Sequence, residues 1–424
     1  MDTNRLHAWQ AAELMARREL RAEDLLRACL ERIDARESDV RAFALLDADA
    51  AVERARALDR SAWRGPLHGL PIGVKDLFDT VDLPTAYGTP LYAGHRPRAD
   101  AAAVALCREA GALVLGKTVT TELANMHPGP TRNPHRLEHT PGGSSSGSAA
   151  AVADFMLPLA LGTQTAGSLI RPAAFCGVVG YKPSLGRVPR AGLKSLSETL
   201  DTVGGFGRSV RDVALLGAVL TSDARLQRWP CAAPPRVGLC RTPHWDQAQD
   251  DSQRVWQDAA QALTATAAAC ADAALPAGSS AWAALQEEVM AHETSRSLSH
   301  ERTQHAERLS APLRALLDKG SAVGAERHAS NLAATLRARH AIDALFECHD
   351  LLMAPSTVGE APLGLGSTGD PLFCRGWTLL GLPCIHLPVG RGRSGLPVGV
   401  QLVGRHGDDH RLLAAADWVF ERLR

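Results

Sequence analysis

The chain has 424 residues, of which 45% are apolar and 22% charged, an ordinary globular composition that argues against disorder and allows two or three domains or one large α/β domain. Forty-six basic residues balance forty-six acidic ones, so no global field draws the chain to nucleic acid or anionic lipid. The first twenty residues lack the apolar core of a secretory signal, no apolar run approaches the ~18 residues of a membrane span, and the nine cysteines (29, 107, 176, 231, 240, 270, 348, 374 and 384) are scattered without a C-x-x-C pair. A soluble, cytoplasmic protein with free thiols is expected.

In chain order, the first sixty residues read as helices. Over 22–37, Leu25, Leu26, Cys29, Leu30 and Ile33 share one face, opposite Glu23, Arg27 and Arg32. The run GLPIGV ending at Lys75 suits a buried strand. Asp100 to Ala110 reads as a helix and ALVL after it as a strand. From Asn125 to Ser148 the composition is that of a loop, and 142–186 mixes glycine and serine with short apolar pieces. Residues 249–347 are Ala-rich and helical in period. MAPST, LPCIHLPVG and LPVGVQLVG return to strand-like runs, and 408–422 closes as an amphipathic helix. Helix and strand alternate, which predicts one α/β domain with a helical insertion-like middle and a sheet completed by the C-terminal strands.

Several motifs fail their context test. Gly111 to Thr118 matches the phosphate-loop pattern G-x-x-x-x-G-K-[ST], but its intervening residues are apolar, so the segment reads as the strand itself. Gly143 to Gly147 matches the nucleophile-elbow pattern G-x-S-x-G without a strand before it. His292, His300 and His305 lack the i, i+4 spacing of a zinc helix, and Cys176 lies among residues that suggest buried packing. No metal site or thiol chemistry is expected.

Three places remain. Lys75, one of only five lysines (75, 117, 182, 194 and 319), ends an apolar strand; Ser144 lies in PGGSSSGSAAAVA; Ser168 lies in ALGTQTAGSLIRPAAFCGVVGYKP. Amide hydrolysis needs a nucleophile, a base, oxyanion donors and a proton for the leaving amine. The base for a serine could be His68, His135 or His139, or a lysine whose charged form is disfavoured by burial. Small side chains at Thr165, Ala166, Gly167 and Ser168 would let several N–H groups point at one oxyanion.

These residues resemble the amidase signature family. GGSSSGSAAAVADFMLPLALGTQTAGSLIRPAAFCG matches its Gly/Ser-rich signature, HGLPIGVKDLFDT its lysine segment, and GDPLFCRGWTLLGLPCIHLPVG with GLPVGVQLVG its C-terminal strands. The similarity covers about 62–210 and 350–424 of one amidase domain spanning 1–424, and leaves 225–347 as a helical variable segment. The resemblance implies a single large domain with a mixed central sheet flanked by helices. It also favours lysine over histidine as base, and the 24-residue step between the serines agrees with the family's spacing. Carried over by position, Lys75 is the catalytic lysine, Ser144 the bridging serine on a cis peptide, and Ser168 the acyl-forming nucleophile. The backbone N–H groups of Thr165, Ala166, Gly167 and Ser168 are the oxyanion donors.

The implied function is hydrolysis of a small or medium amide, with esters and carbamates open to the same route. No cofactor, nucleic acid or membrane is implied, and homodimerisation is a family-level expectation. Two alternatives stay open: a glutamine-hydrolysing amidotransferase subunit that passes ammonia to a partner, and a non-catalytic binding protein on the same fold. The sequence departs from the commoner pattern in having Gln164 for Asp, Ile170 for Arg with Arg171 one position later, and Ala166 and Ser146 for glycines. The changes at 164 and 170 are expected to belong together, which requires the two residues to be close. Ala166 is expected either to avoid positive φ or to alter the oxyanion backbone.

Overall fold

A computed structural model describes residues 2–227, 233–266 and 269–424. Among them, eleven strands form one mixed sheet: β1 Phe43–Leu46, β2 Pro71–Lys75, β3 Leu113–Thr118, β4 Leu159–Gln164, β5 Val179–Lys182, β6 Thr202–Gly207, β7 Arg236–Leu239, β8 Ala269–Asp272, β9 Leu351–Pro355, β10 Cys384–Arg391 and β11 Pro397–Val403. Their spatial order is β1-β3-β2-β4-β6-β5-β10-β11-β9-β7-β8. The strands β3, β2 and β4 run parallel at one side, as do β9, β7 and β8 at the other; the pairings between these groups are antiparallel.

Helices cover both faces, which is why the strands read as continuous apolar runs rather than alternating ones. On β9, Leu351 and Met353 join one buried cluster with Trp256 and Phe420, whereas Leu352 and Ala354 join another with Trp282 and Trp377. Successive side chains of a strand point to opposite faces, so each cluster marks one covered face. The C-terminal strands complete the sheet as expected, and the closing helix Asp409–Leu423 packs Leu412, Leu413, Val419 and Phe420 inward. The helix Ala22–Val40 likewise buries Leu25, Leu26, Cys29 and Ile33.

Two expectations need correction. The first sixty residues are not all helical, because β1 pairs antiparallel with β3 at the sheet edge. The segment 225–347 is not purely helical, because it supplies β7 and β8. Alanine is the strongest helix former, so the sequence ACAD of β8 carries no strand signal; pairing with β7 overrides its propensity. The eight described cysteines are free, six of them buried; Cys231 lies outside the described residues. No helix among the described residues is long and apolar enough to cross a membrane.

Candidate active site

The parallel register of β2 and β4, with Val74 opposite Leu161, brings the carboxyl ends of both strands to the same side of the sheet. Open α/β sheets place their sites at such ends. Lys75 is the last residue of β2 and is fully buried. Its Nζ donates to Ser144 Oγ and to Thr163 Oγ1, both at 2.7 Å. Burial lowers the pKa of Lys75 from 10.5 to about 7, and the charge of Asp201 opposes that shift. An amine with such a pKa can take up or release a proton near neutral pH, and Ser144 Oγ is within its reach.

Ser144 is held from several directions. The Gly143–Ser144 peptide bond is cis, as the resemblance implied. Gly142 before it has φ +80°, and a Cβ there would lie 2.8 Å from Pro172 Cα, so only glycine fits. After it, the helix Ser146–Ala153 begins, with Ser145 Oγ donating to Thr163 O at 3.2 Å and accepting from Thr163 N–H at 3.3 Å. The buried guanidinium of Arg171 donates through Nη2 to Gly143 O at 2.7 Å and Thr368 Oγ1 at 3.0 Å, and through Nη1 to Gly369 O at 2.9 Å. Burial pulls its pKa down to about 10, and every hydrogen-bond acceptor it uses is neutral.

The loop Thr165–Ser168 leaves the end of β4 and enters the helix Ile170–Cys176. Ser168 is 8% exposed, and its hydroxyl has no hydrogen-bond partner among the described residues. The N–H groups of Thr165, Ala166, Gly167 and Ser168 have no protein acceptor among the described residues, which leaves four donors on successive peptides leading to the serine. Ala166 avoids positive φ, so the loop tolerates a Cβ at that position. Gln164 Oε1 accepts from the N–H groups of Leu169 and Ile170 at 2.9 and 3.0 Å, so residues 164 and 170 are neighbours as their pairing required. The Ile170 side chain sits in an apolar cluster with Leu200 and Trp377.

The histidines weighed as bases are elsewhere. His135 Nε2 meets Cys176 O at 2.8 Å, His139 Nδ1 meets Ala361 O at 2.7 Å, and His68 stacks on Trp63. The phosphate-loop lookalike is strand β3, whose Lys117 is buried in an ion pair with Asp76 at 3.1 Å and donates to Phe78 O and Thr85 Oγ1. His292 stacks on His328, and no group of three His, Cys, Asp or Glu among the described residues is arranged to hold a metal ion. Thr163, Asp201, Gln286 and Thr378 escaped the sequence reading. Only Thr163 carried a local hint, by standing inside the Gly/Ser-rich block.

A mixed sheet with helices on both faces and a lysine–serine cluster at the carboxyl ends of two parallel strands defines an α/β protein of the amidase-signature type. Residues 24–413 match the model of the Amidase family. The glutamyl-tRNA(Gln) amidotransferase A subunit from Nitratidesulfovibrio vulgaris is 35% identical, covering 97% of this chain and 95% of that protein. Among solved structures, an amidase superposes with a TM-score of 0.90 at 32% identity, covering 99% of this chain and all of that one. A peptide amidase from Stenotrophomonas maltophilia superposes with a TM-score of 0.83 at 29% identity, covering 99% and 97%. The chain belongs to the Amidase family.

Proposed function

We propose that this chain cleaves a carboxylic amide C–N bond through an acyl-enzyme on Ser168. Neutral Lys75 takes a proton from Ser144, Ser144 takes one from Ser168, and Ser168 attacks the carbonyl carbon. The loop N–H groups receive the developing oxyanion. Ser144 then gives its proton to the departing amine, and water releases the acyl group by the reverse path. The observation that carries this reading is the fully buried Lys75, its pKa lowered to about 7 and its Nζ 2.7 Å from Ser144 Oγ. Esters and carbamates are open to the same route.

Within amide cleavage, the comparisons favour the glutamine-hydrolysing reading over the stand-alone amidase. The curated amidotransferase A subunits match nearly the whole chain at up to 35% identity over that span, against 32% and 29% for the amidases of known structure. Under that reading the amide is the side chain of glutamine and the ammonia passes to a partner.

Intact-mass spectrometry after exposure to a fluorophosphonate tests the shared chemistry. One adduct on Ser168, absent in Ser168→Ala and slowed in Lys75→Ala, is expected; an adduct that survives Ser168→Ala overturns the assignment. Turnover of free glutamine compared with simple primary amides then separates the two readings. Preference for simple amides counts against the amidotransferase.

A further inference from the structure

Two carbonyl groups of the loop that would hold the oxyanion, those of Thr165 and Ala166, are each taken by a side chain from a distant part of the sequence. Gln286, fully buried on the helix Trp282–Ser297 in the variable segment, donates from Nε2 to Thr165 O at 2.9 Å. Its Oε1 accepts from Arg375 Nη1 at 2.6 Å, which fixes the orientation of the amide. Arg375 is in turn paired with Glu287 at 3.1 Å. Thr378, on the helix Leu372–Leu379, donates to Ala166 O at 2.7 Å; its other acceptor, Cys374 O, is farther at 3.1 Å. Gln164 Nε2 donates to Thr378 Oγ1 at 2.9 Å, and its Oε1 is occupied by two backbone N–H groups.

A trans peptide is planar, with its N–H pointing opposite to its C=O. Fixing Thr165 O therefore fixes the Ala166 N–H, and fixing Ala166 O fixes the Gly167 N–H. A donor on the carbonyl also polarises its peptide and strengthens the N–H as a donor. We propose that Gln286, Thr378 and Gln164 are positioning residues that orient and polarise the oxyanion-binding peptides, so that the variable segment, through Gln286, contributes to the catalytic power of the loop. The proposal rests on Ser168 being the nucleophile.

The amide at 164 has a specific part in this. A carboxylate there could accept from the same two backbone N–H groups, but it could not donate to Thr378. It would instead accept the Thr378 hydroxyl proton, and Ala166 O would lose its partner. Gln164 leaves that proton free for Ala166.

The test measures the second-order rate of fluorophosphonate labelling, with kcat and KM on an amide where turnover is found, and the pH dependence of labelling. Gln286→Met, Thr378→Val and Gln164→Glu each remove a donor, and Thr378→Ser keeps it. Losing a direct oxyanion donor costs about 100- to 1000-fold, so losing its support through one peptide is expected to slow labelling and kcat by about 10- to 100-fold. In Gln286→Met and Thr378→Val, which add no charge, KM and the pH midpoint of labelling stay at wild-type values, and Thr378→Ser retains the wild-type rate. Unchanged labelling in both Gln286→Met and Thr378→Val overturns the proposal. A shifted pH midpoint in Gln286→Met or Thr378→Val also overturns it, because the effect would then run through Lys75. If Gln286→Met does not fold, the Thr378→Val and Thr378→Ser pair decides alone. Failure of the wild type to label at Ser168 is a distinct result that removes the nucleophile assignment itself.

Discussion

Replacing Lys75 by methionine should make the protein more stable, and by an amount that depends on pH. The fully buried amine has its pKa lowered from 10.5 to about 7. Below about pH 7 both the folded and the unfolded chain carry the proton, and the fold bears the whole cost of a buried charge. Between 7 and 10.5 the unfolded chain binds more protons than the native one, so stability rises with pH; above 10.5 the two states bind equally. A tenfold change in proton affinity is worth about 1.36 kcal/mol, so the cost is about 5 kcal/mol at pH 6 and about 2 kcal/mol at pH 9. Lys75→Met removes this cost and leaves Ser144 and Thr163 each without one hydrogen bond, a loss that does not vary with pH. The gap between variant and wild type should therefore shrink by about 3 kcal/mol from pH 6 to pH 9. Equilibrium urea unfolding of both proteins across that range measures it, and all other titrating groups cancel in the difference. A gap that stays constant would mean that Lys75 is charged in the native protein at neutral pH, and a charged lysine cannot start the relay.

The same group sets the pH profile: labelling and turnover should rise with pH through about 7 as Lys75 loses its proton. Thr163→Val removes an acceptor for the ammonium form and should move the rising limb to lower pH; an unmoved limb would remove Thr163 from the base's environment. Lys117→Met leaves the carboxylate of Asp76 buried without its partner and should destabilise by about 3–5 kcal/mol, most of it recovered in the double variant with Asp76→Asn. Urea midpoints check this, and equal losses in the single and double variants would show that the pair is not coupled.

Which parts of this were readable follows from how local their causes are. The strands around the site have long apolar runs because both sheet faces are covered, so β2, β3, β9, β10 and β11 stand out in the sequence. Lys75 stands out as a cation at the end of such a run, and Gly142 and Gly143 as a turn that side chains would block. By contrast, β1, β7 and β8 have four residues each and lie at or next to the sheet edges, where pairing rather than composition makes the strand. Gln286 and Thr378 are ordinary polar residues on helices. Their part arises only when folding sets their side chains against Thr165 and Ala166, a contact with no local trace.

The departures from the family pattern make sense together once their contacts are traced. An acid at 164 and an arginine at 170 would place opposite charges next to each other at the start of the Ile170–Cys176 helix. Here Gln164 meets the two helix N–H groups as a neutral acceptor, and Ile170 fills an apolar cluster without a charge to satisfy. The guanidinium at the next position, Arg171, points to the other side and holds the carbonyl of the peptide that carries Ser144. The paired change leaves no charge at the start of that helix, and the buried guanidinium of Arg171 is met by neutral acceptors alone. It also gives each side of the site a separate support: Gln164, through Thr378, holds the Ala166–Gly167 peptide, and Arg171 holds the peptide of Ser144.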